Sequence, residues 1–347
     1  MLLETLDTSL SAQTLQLVFA LVLGLVFGAA AQASRFCLRR AVAGENGANS
    51  SALSVWLSAL AFAIGGFAIS SHLGLIDVTD HRFQSTSLPI AAIVVGGLLF
   101  GAGMVLTRGC VSRLTVLSAT GNLRAIVVLA VFALVAHAAL KGVLAPVRTT
   151  LGSLSIDVPS GVLAQSPAAG LAIGIALLIV AGLLARASDT RWSQLSLGGV
   201  IGLLAVAGWM TTSTLLMDEF DPLPVQSAAF TLPWSDTLFW FVASTSIPAG
   251  FGVGFIGGVL AGSFLSASLR GELALQSFET PAQTLRYGAG GAMMGIGGVL
   301  AGGCTVGAGL SGGAMLSVSA LLALGAIISG AVFTRRVLTP HLTAQIA

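Results

Sequence analysis

The residues best suited to chemistry in this sequence are three widely separated cysteines, Cys37, Cys110 and Cys304. They form no CxxC pair, so neither a zinc site nor a thioredoxin-type redox centre is indicated. Each follows a stretch rich in glycine or alanine, where missing side-chain bulk lets a small molecule reach the sulfur. A thiol is a weak hydrogen-bond donor with a polarizable sulfur atom. The pattern therefore favours contact with a small, soft ligand over metal binding.

Two of the cysteines end an internal repeat. Residues 96–110 read GGLLFGAGMVLTRGC and residues 290–304 read GGAMMGIGGVLAGGC, with eight identical positions that include Gly109/Gly303 and the cysteines. Transporters built from repeats place their substrate site at the interface between the repeats. Convergent packing of two small-residue helices is the alternative explanation.

A fainter echo accompanies the repeat. Gly24 and Gly28 lead to Cys37, and glycines at the same spacing lead to Ala267. This echo predicts that Cys37 has no cysteine counterpart in the second half.

The residues beside the cysteines suggest a broken helix and an anion. Thr305 and four glycines follow Cys304 closely, so a continuous helix is not expected there, and broken helices in membrane proteins line cavities. Arg108 lies two residues before Cys110 in apolar sequence, and an intramembrane charge is usually functional. If its side chain points inward, Arg108 would attract an anion. The candidate permeation residues are Cys37, Cys110, Cys304, Arg108, Gly109, Gly303 and Thr305.

The elements that carry these residues are membrane-spanning helices. Of 347 residues, 55% are hydrophobic and 8% are charged, whereas a soluble domain has about 25% charged residues. A soluble enzyme is therefore excluded, and the charges form no basic patch for nucleic acid. About 20 apolar residues span a bilayer, which predicts nine spans, near 14–34, 52–76, 88–107, 123–145, 166–185, 195–217, 249–269, 285–303 and 311–333.

The fold class is thus an all-α integral membrane protein with about nine transmembrane helices. Short non-spanning helices are predicted near 111–119 and 237–247. Residues 1–347 form a single transport domain, with repeat halves at roughly 14–145 and 237–333. On this topology the repeated spans run in opposite directions, whereas spans one and seven run the same way.

The distribution of charge predicts the orientation. With the N-terminus outside, all lysines and arginines except Arg82, Lys141 and Arg148 fall at inner ends of spans, while most acidic residues fall outside. The protein is therefore expected in the inner (plasma) membrane, as a multi-pass protein with a cytoplasmic C-terminus.

Three segments resemble the YeeE/YedE family of sulfur-compound transport membrane proteins. They are RFCLRRA around Cys37, RGCVSRL followed by GNLRA around Cys110, and GGCTVGAGLSG around Cys304. The resemblance covers nearly the whole chain. It implies thiosulfate uptake, with Cys110 and Cys304 on the central permeation path and Cys37 contributing less critically. It also implies a small cytoplasmic TusA-like sulfur-carrier protein as partner, and it calls for no cofactor.

The physical chemistry of the thiols is compatible with several activities. Protonated thiols could relay thiosulfate by successive S–H···S contacts, because a thiolate would repel the dianion. The alternatives are a membrane sulfurtransferase that forms a cysteine persulfide, a transporter of selenium or other sulfur species, a channel for neutral hydrogen sulfide, and a scaffold subunit. The permease, which is not an enzyme, is the favoured hypothesis.

Overall fold

The computed structural model describes residues 11–44, 48–164, 166–216 and 223–344, with the backbone alone for 339–344. The fold is all-α, as predicted, with two-residue strands β1 (Ser87–Leu88) and β2 (Ile156–Asp157) paired antiparallel. Five of the acidic residues on which the predicted orientation depends lie outside the residues that the structure describes: Glu4, Asp7, Asp218, Glu219 and Asp221. The helices are α1 (Ala12–Ser34), α2 (Leu38–Ala43), α3 (Ser50–His72), α4 (Ile90–Leu106), α5 (Val111–Ala119), α6 (Leu123–Lys141), α7 (Ala145–Gly152), α8 (Pro167–Ala187), α9 (Trp192–Met210), α10 (Thr231–Ala243), α11 (Phe251–Leu269), α12 (Pro281–Leu300) and α13 (Val318–Ala344).

Each predicted span overlaps a long helix, although the last helix begins at Val318 rather than near residue 311. Within the described ranges, eight helical stretches are long and apolar enough to cross a membrane, and two of these stretches are the broken pairs α1–α2 and α4–α5. The ninth, α12, has 20 residues but a more polar first half, and it packs against α4 and α6 inside the bundle. A helix surrounded by other helices needs less apolar surface than one that faces lipid.

The two short helices were predicted with unequal accuracy. The first, α5, has the expected bounds, Val111–Ala119. The second, α10, begins at Thr231 rather than near residue 237. Pro233 and Asp236 interrupt the apolar pattern there, but proline is tolerated in the first turn of a helix because that turn's N–H groups have no helical partner.

Close contact between α4 and α12 depends on the repeated glycines. A Cβ at Gly96 would meet backbone atoms of Gly297 and Ala301, and a Cβ at Gly103 would meet the carbonyl oxygen of Gly290. The contact positions descend in one helix as they rise in the other, so α4 and α12 run antiparallel. Each copy's first glycine contacts the inner glycine of the other copy. The contact is therefore reciprocal, and the backbones approach as closely as small-residue faces permit.

A second glycine contact joins α1 to α11. Cβ atoms added at Gly254, Gly258 and Gly262 would meet the backbone of Leu17, Leu21 and Leu25 respectively. Both sets advance four residues at a time, so α1 and α11 run parallel, as the predicted topology requires.

We expect Gly258→Ala to lower the thermal stability of the purified protein, because the added methyl would collide with the Leu21 carbonyl. Such overpacking costs about 1–3 kcal/mol. The matched control is Gly257→Ala, one residue earlier on α11, where an added Cβ meets no atom within 4 Å. Melting temperatures measured in detergent should fall for the first variant only. Equal values for both would contradict the close contact.

Candidate functional site

The backbone takes the same turn before each cysteine. A residue in the left-handed region follows the end of a helix, and the cysteine comes two positions later. These left-handed residues are Arg35 (φ 54°), Arg108 (φ 58°) and Gly302 (φ 74°). Two of the three are not glycine, which is uncommon for this conformation. The chain then continues into α2, into α5, or into the π-helical turn Gly307–Gly312, so each thiol lies at a break between helices.

The carbonyl at each break accepts a hydrogen bond from an arginine. Nη1 of Arg40 donates to the Arg35 carbonyl at 3.2 Å, and Nη1 of Arg39 donates to the Arg108 carbonyl at 3.4 Å. Nη2 of Arg82 donates to the Gly302 carbonyl at 2.7 Å. A cation is favourable at the C-terminal end of a helix, where carbonyl groups lack partners. Arginines therefore complete the three breaks as well as bringing positive charge to them.

A turn of this kind also ends α11 but carries no cysteine. Gly271 is left-handed (φ 64°), and the residue two positions later is Leu273. Ala267, which the glycine spacing had paired with Cys37, lies buried inside α11. The predicted correspondence is therefore wrong at that residue. The glycines follow the contacts between helices, which are offset from the helix ends.

The three thiols are buried, and Cys110 lies near both Cys37 and Cys304. Each cysteine is at most 2% exposed, and each has a free thiol. The thiols of Cys37 and Cys110 lie next to each other, and the Cys110 sulfur lies 3.2 Å from the Ser112 hydroxyl. Cys304 stands close enough to Cys110 for the two to interact electrostatically.

Thr305 directly follows Cys304 and approaches the other repeated cysteine. Its hydroxyl lies near the Cys110 thiol but forms no hydrogen bond of normal geometry, although it is buried. The Cys304 sulfur itself accepts the Gly307 N–H at 3.3 Å. A polar hydrogen-bonding group thus lies near the thiols in an apolar interior, where such a group is costly unless something uses it.

A cavity of about 300 Å³ opens beside Cys304, which we call the Arg82 cavity. Its lining includes Gly302, Gly303 and Gly307, which surround the Cys304 thiol, together with His81 and Arg82. Among the described lining residues, Arg82 and His81 are the ones that can carry charge, and both are basic.

The loop that carries Arg82 holds the chain on both sides of Cys304. Arg82 binds the Gly302 carbonyl, as above, and the His81 ring packs edge-on against Trp209 with 4.8 Å between ring centroids. The Trp209 indole N–H donates to the Ser311 carbonyl at 3.0 Å. None of these residues was among the candidates that the sequence indicated. The available signal was that Arg82 is one of three cations on the acidic side of the membrane.

A second cavity, of about 370 Å³, opens beside the other two thiols, and we call it the Arg113 cavity. Three arginines line it, Arg35, Arg40 and Arg113, together with Glu272 and several amide side chains. The Arg113 guanidinium acts electrostatically on both Cys37 and Cys110. Residues that precede α3 in the chain line the Arg113 cavity and residues that follow it line the Arg82 cavity, and the 23 residues of α3 extend about 34 Å.

The remaining predicted residues have distinct surroundings. The Arg108 side chain is exposed and its contact with an anion stays a prediction, whereas Arg113 lies close enough to the thiols to interact with them. A Cβ at Gly303 would lie 2.7 Å from the Ala308 backbone nitrogen, whereas one at Gly109 would meet only side-chain atoms, the nearest at 3.3 Å. Gly303 is therefore required by the fold of the turn more strictly than Gly109.

His81 lies in the loop between α3 and α4, outside the spans. Burial against aromatic rings disfavours the charged imidazole, and the neighbouring Arg82 adds repulsion, so the pKa of His81 is lowered to about 4. Its Nδ1 accepts the Phe83 N–H at 3.2 Å, which also requires the unprotonated nitrogen. Arg82 therefore supplies the positive charge of the Arg82 cavity at neutral pH.

This histidine should make stability depend on pH. The unfolded chain takes up a proton near pH 6.5, whereas the folded chain does so only near pH 4. Stability is therefore full above about pH 6.5 and is lost as the pH falls towards 4. We expect His81→Asn, which can still cap the Phe83 N–H, to show a smaller loss of melting temperature across this range. An identical decline in both proteins would contradict the assignment.

Comparison with known proteins agrees with this architecture. The chain is 25% identical over 317 residues to the thiosulfate transporter TsuA of Escherichia coli (strain K12), covering 84% of this chain and 85% of that protein. It is 27% identical over 309 residues to the thiosulfate transporter TsuA of Spirochaeta thermophila, covering 83% and 88% respectively. A family model described as sulphur transport matches residues 33–333, which include all three cysteines. The chain therefore belongs to the sulphur transport (YeeE/YedE) family, as the motifs around the cysteines predict.

Proposed function

We propose that this protein is an inner-membrane permease that takes up thiosulfate or a closely related sulfur anion. The observation that supports the proposal is that three buried thiols lie near segments lining two cavities that contain arginine. The names of the two relatives point to the same substrate. A soft terminal sulfur suits the thiols, and two negative charges suit the arginines.

The proposed path begins at the Arg82 cavity and ends at the Arg113 cavity. Between them the anion passes Cys304, then the Thr305 hydroxyl, and then the neighbouring thiols of Cys110 and Cys37. The excess of arginine at the Arg113 end supports a cytoplasmic position for that cavity, with the Arg82 cavity and the N-terminus outside.

The proposed relay depends on weak contacts. A protonated thiol donates to the anion's terminal sulfur through S–H···S, and such a bond is weak enough for the ion to move to the next thiol. Conduction requires binding that is favourable enough for entry and weak enough for exit. A deprotonated thiol would repel the dianion, so the relay requires the protonated form. The Thr305 hydroxyl, which forms no hydrogen bond of normal geometry, supplies a further donor between Cys304 and Cys110.

We expect Cys304→Ala to abolish uptake of sulfur-labelled thiosulfate by cells that lack other sulfur importers, because no S–H donor would remain next to the Arg82 cavity. Ser58→Ala is the matched control. It also removes one buried side-chain heteroatom, a hydroxyl bonded to the Leu195 carbonyl at 2.9 Å at the contact of α3 with α9. Its uptake should equal that of the unmodified protein.

Two results would contradict the relay. Equal uptake by Cys304→Ala and the unmodified protein, at equal amounts in the membrane, would exclude an essential thiol. Strong competition by sulfate, which has the same charge but no terminal sulfur, would show that charge alone selects the ion. Saturable uptake competed by thiosulfate would in turn exclude a channel for neutral hydrogen sulfide.

The paired thiols favour one alternative, a membrane sulfurtransferase. The thiolate of Cys110 or Cys37, beside Arg113, would attack the terminal sulfur of thiosulfate. The new S–S bond forms as the original S–S bond breaks, sulfite leaves with the electron pair, and a persulfide remains. Intact-protein mass spectrometry after exposure to thiosulfate discriminates the two, because a persulfide adds the mass of one sulfur atom. The relay predicts an unchanged mass, and the added sulfur would favour the enzyme.

The family resemblance also implies a cytoplasmic TusA-like carrier as partner. In the proposed orientation it would receive the anion at the Arg113 cavity. Copurification of such a carrier with the intact protein tests this, and its failure to bind would leave the permease acting alone.

A further inference from the structure

A single carboxylate lies among the arginines of the Arg113 cavity. Within the described lining of that cavity, Glu272 is the only acidic residue. Its Oε2 accepts a hydrogen bond from Nε2 of Gln32 at 3.0 Å, and its Oε1 accepts one from Nε of Arg270 at 3.4 Å. Nη2 of Arg35 lies 4.0 Å from the same Oε1. The carboxylate therefore sits where three donors converge.

Gln32 connects this carboxylate to the thiols. Its side chain is buried, and its Oε1 accepts a hydrogen bond from Nη1 of Arg113 at 3.4 Å, while its Nε2 donates to Glu272. Arg113 in turn acts electrostatically on Cys37 and Cys110. An anion that leaves the thiol pair thus meets Arg113 first and the Gln32–Glu272 contact next.

The position of Glu272 is fixed by the backbone on both sides. The left-handed turn at Gly271 ends α11, and the Glu272 N–H donates to the Ala267 carbonyl at 2.9 Å. Beyond it, the Ala274 N–H donates to the Thr120 carbonyl at 3.1 Å, just past the end of α5, which carries Arg113. The loop is held beside Arg113, so the carboxylate does not reach the cavity by chance.

A cavity lined with arginines and nothing else would hold a dianion too well. Charge-assisted hydrogen bonds to guanidinium groups are strong, and an ion that binds strongly at the exit leaves slowly. A resident carboxylate removes this trap, because it offers the same donors an alternative partner of lower charge.

We propose that Glu272 is the release residue of the transporter. Its carboxylate occupies the anion position beside Gln32 when no substrate is there, yields it to the arriving thiosulfate, and takes it back as the ion leaves. The inference rests on the proposed function and names the residue that acts at the end of its path.

A neighbouring ion pair shows what a purely structural carboxylate looks like in the same loop. Glu279 lies 2.7 Å from Nη2 of Arg124, is 76% exposed, and does not line the cavity. Glu272 is 28% exposed and shares its oxygens among three donors at 3.0–4.0 Å. Its contacts are individually longer, as expected for a group that exchanges with a ligand.

The test compares Glu272→Gln with the matched control Glu279→Gln, which removes a carboxylate paired with arginine from the same loop. Thiosulfate binding to the purified protein and uptake kinetics in cells are both measured. Without the competing carboxylate, we expect Glu272→Gln to bind thiosulfate about threefold to tenfold more tightly. Both KM and the maximal uptake rate should fall, because the ion is released slowly. Glu279→Gln should match the unmodified protein, and Glu272→Asp should restore part of the maximal rate.

Each outcome bears on one hypothesis. Unchanged or weaker thiosulfate binding by Glu272→Gln would overturn the release role and leave Glu272 as a structural partner of Gln32. Tighter binding by Glu279→Gln as well would overturn it too, since loss of any nearby negative charge would then suffice. If the unmodified protein shows no uptake, the permease proposal fails, while the binding comparison on purified protein still decides whether Glu272 competes with an anion.

Discussion

The site depends on how this protein satisfies backbone groups where helices break inside a bilayer. Lipid offers no hydrogen-bond partners, so an interrupted helix is stable only where it is buried in protein or lines a cavity. Here three breaks meet, and the carbonyl of each left-handed residue accepts a guanidinium N–H, from Arg40, Arg39 and Arg82. At two of the breaks, the arginines that hold the turns beside the thiols are also cations that would attract an anion to the proposed path, because Arg40 and Arg82 line the cavities.

Glycine packing holds the helices that lead to the breaks. The reciprocal contact of Gly96 with Gly297 and of Gly103 with Gly290 places α4 against α12 with little side-chain volume between them. Because both copies carry the same glycine spacing relative to their cysteine, each break follows its helix at an equivalent position. The close approach of α1 to α11 likewise holds α1, whose end precedes Cys37. A bulky substitution at either contact would therefore displace a helix that leads to a thiol.

Local patterns in the sequence predicted a large part of this. Spans of about 20 apolar residues are detected from hydropathy, because the thickness of the bilayer sets their length. The repeated Gly-Cys segments predicted that two of the three thiols are equivalent. Interactions between distant residues were not predictable. Arg82 reaches Gly302 across 220 positions and Gln32 reaches Glu272 across 240. The same limit explains why the sequence indicated Arg108 rather than Arg113. Arg108 is closer to Cys110 in the chain, but the turn after α4 leaves its side chain exposed. Arg113, on α5, lies beside the thiols.

The two ends of the proposed path differ in a way that follows from these contacts. At the Arg82 cavity one guanidinium is already bonded to the Gly302 carbonyl at 2.7 Å, so it attracts an anion without committing all its donors to it. At the Arg113 cavity several guanidinium groups lie together, and without a competing group they would bind the anion too strongly for it to leave. A carboxylate is therefore needed at that end and not at the other, and this is where Glu272 lies. The proposed roles of the two ends thus follow from charge: weak capture at the end with one arginine, transfer along neutral thiols, and release by competition where the arginines are concentrated.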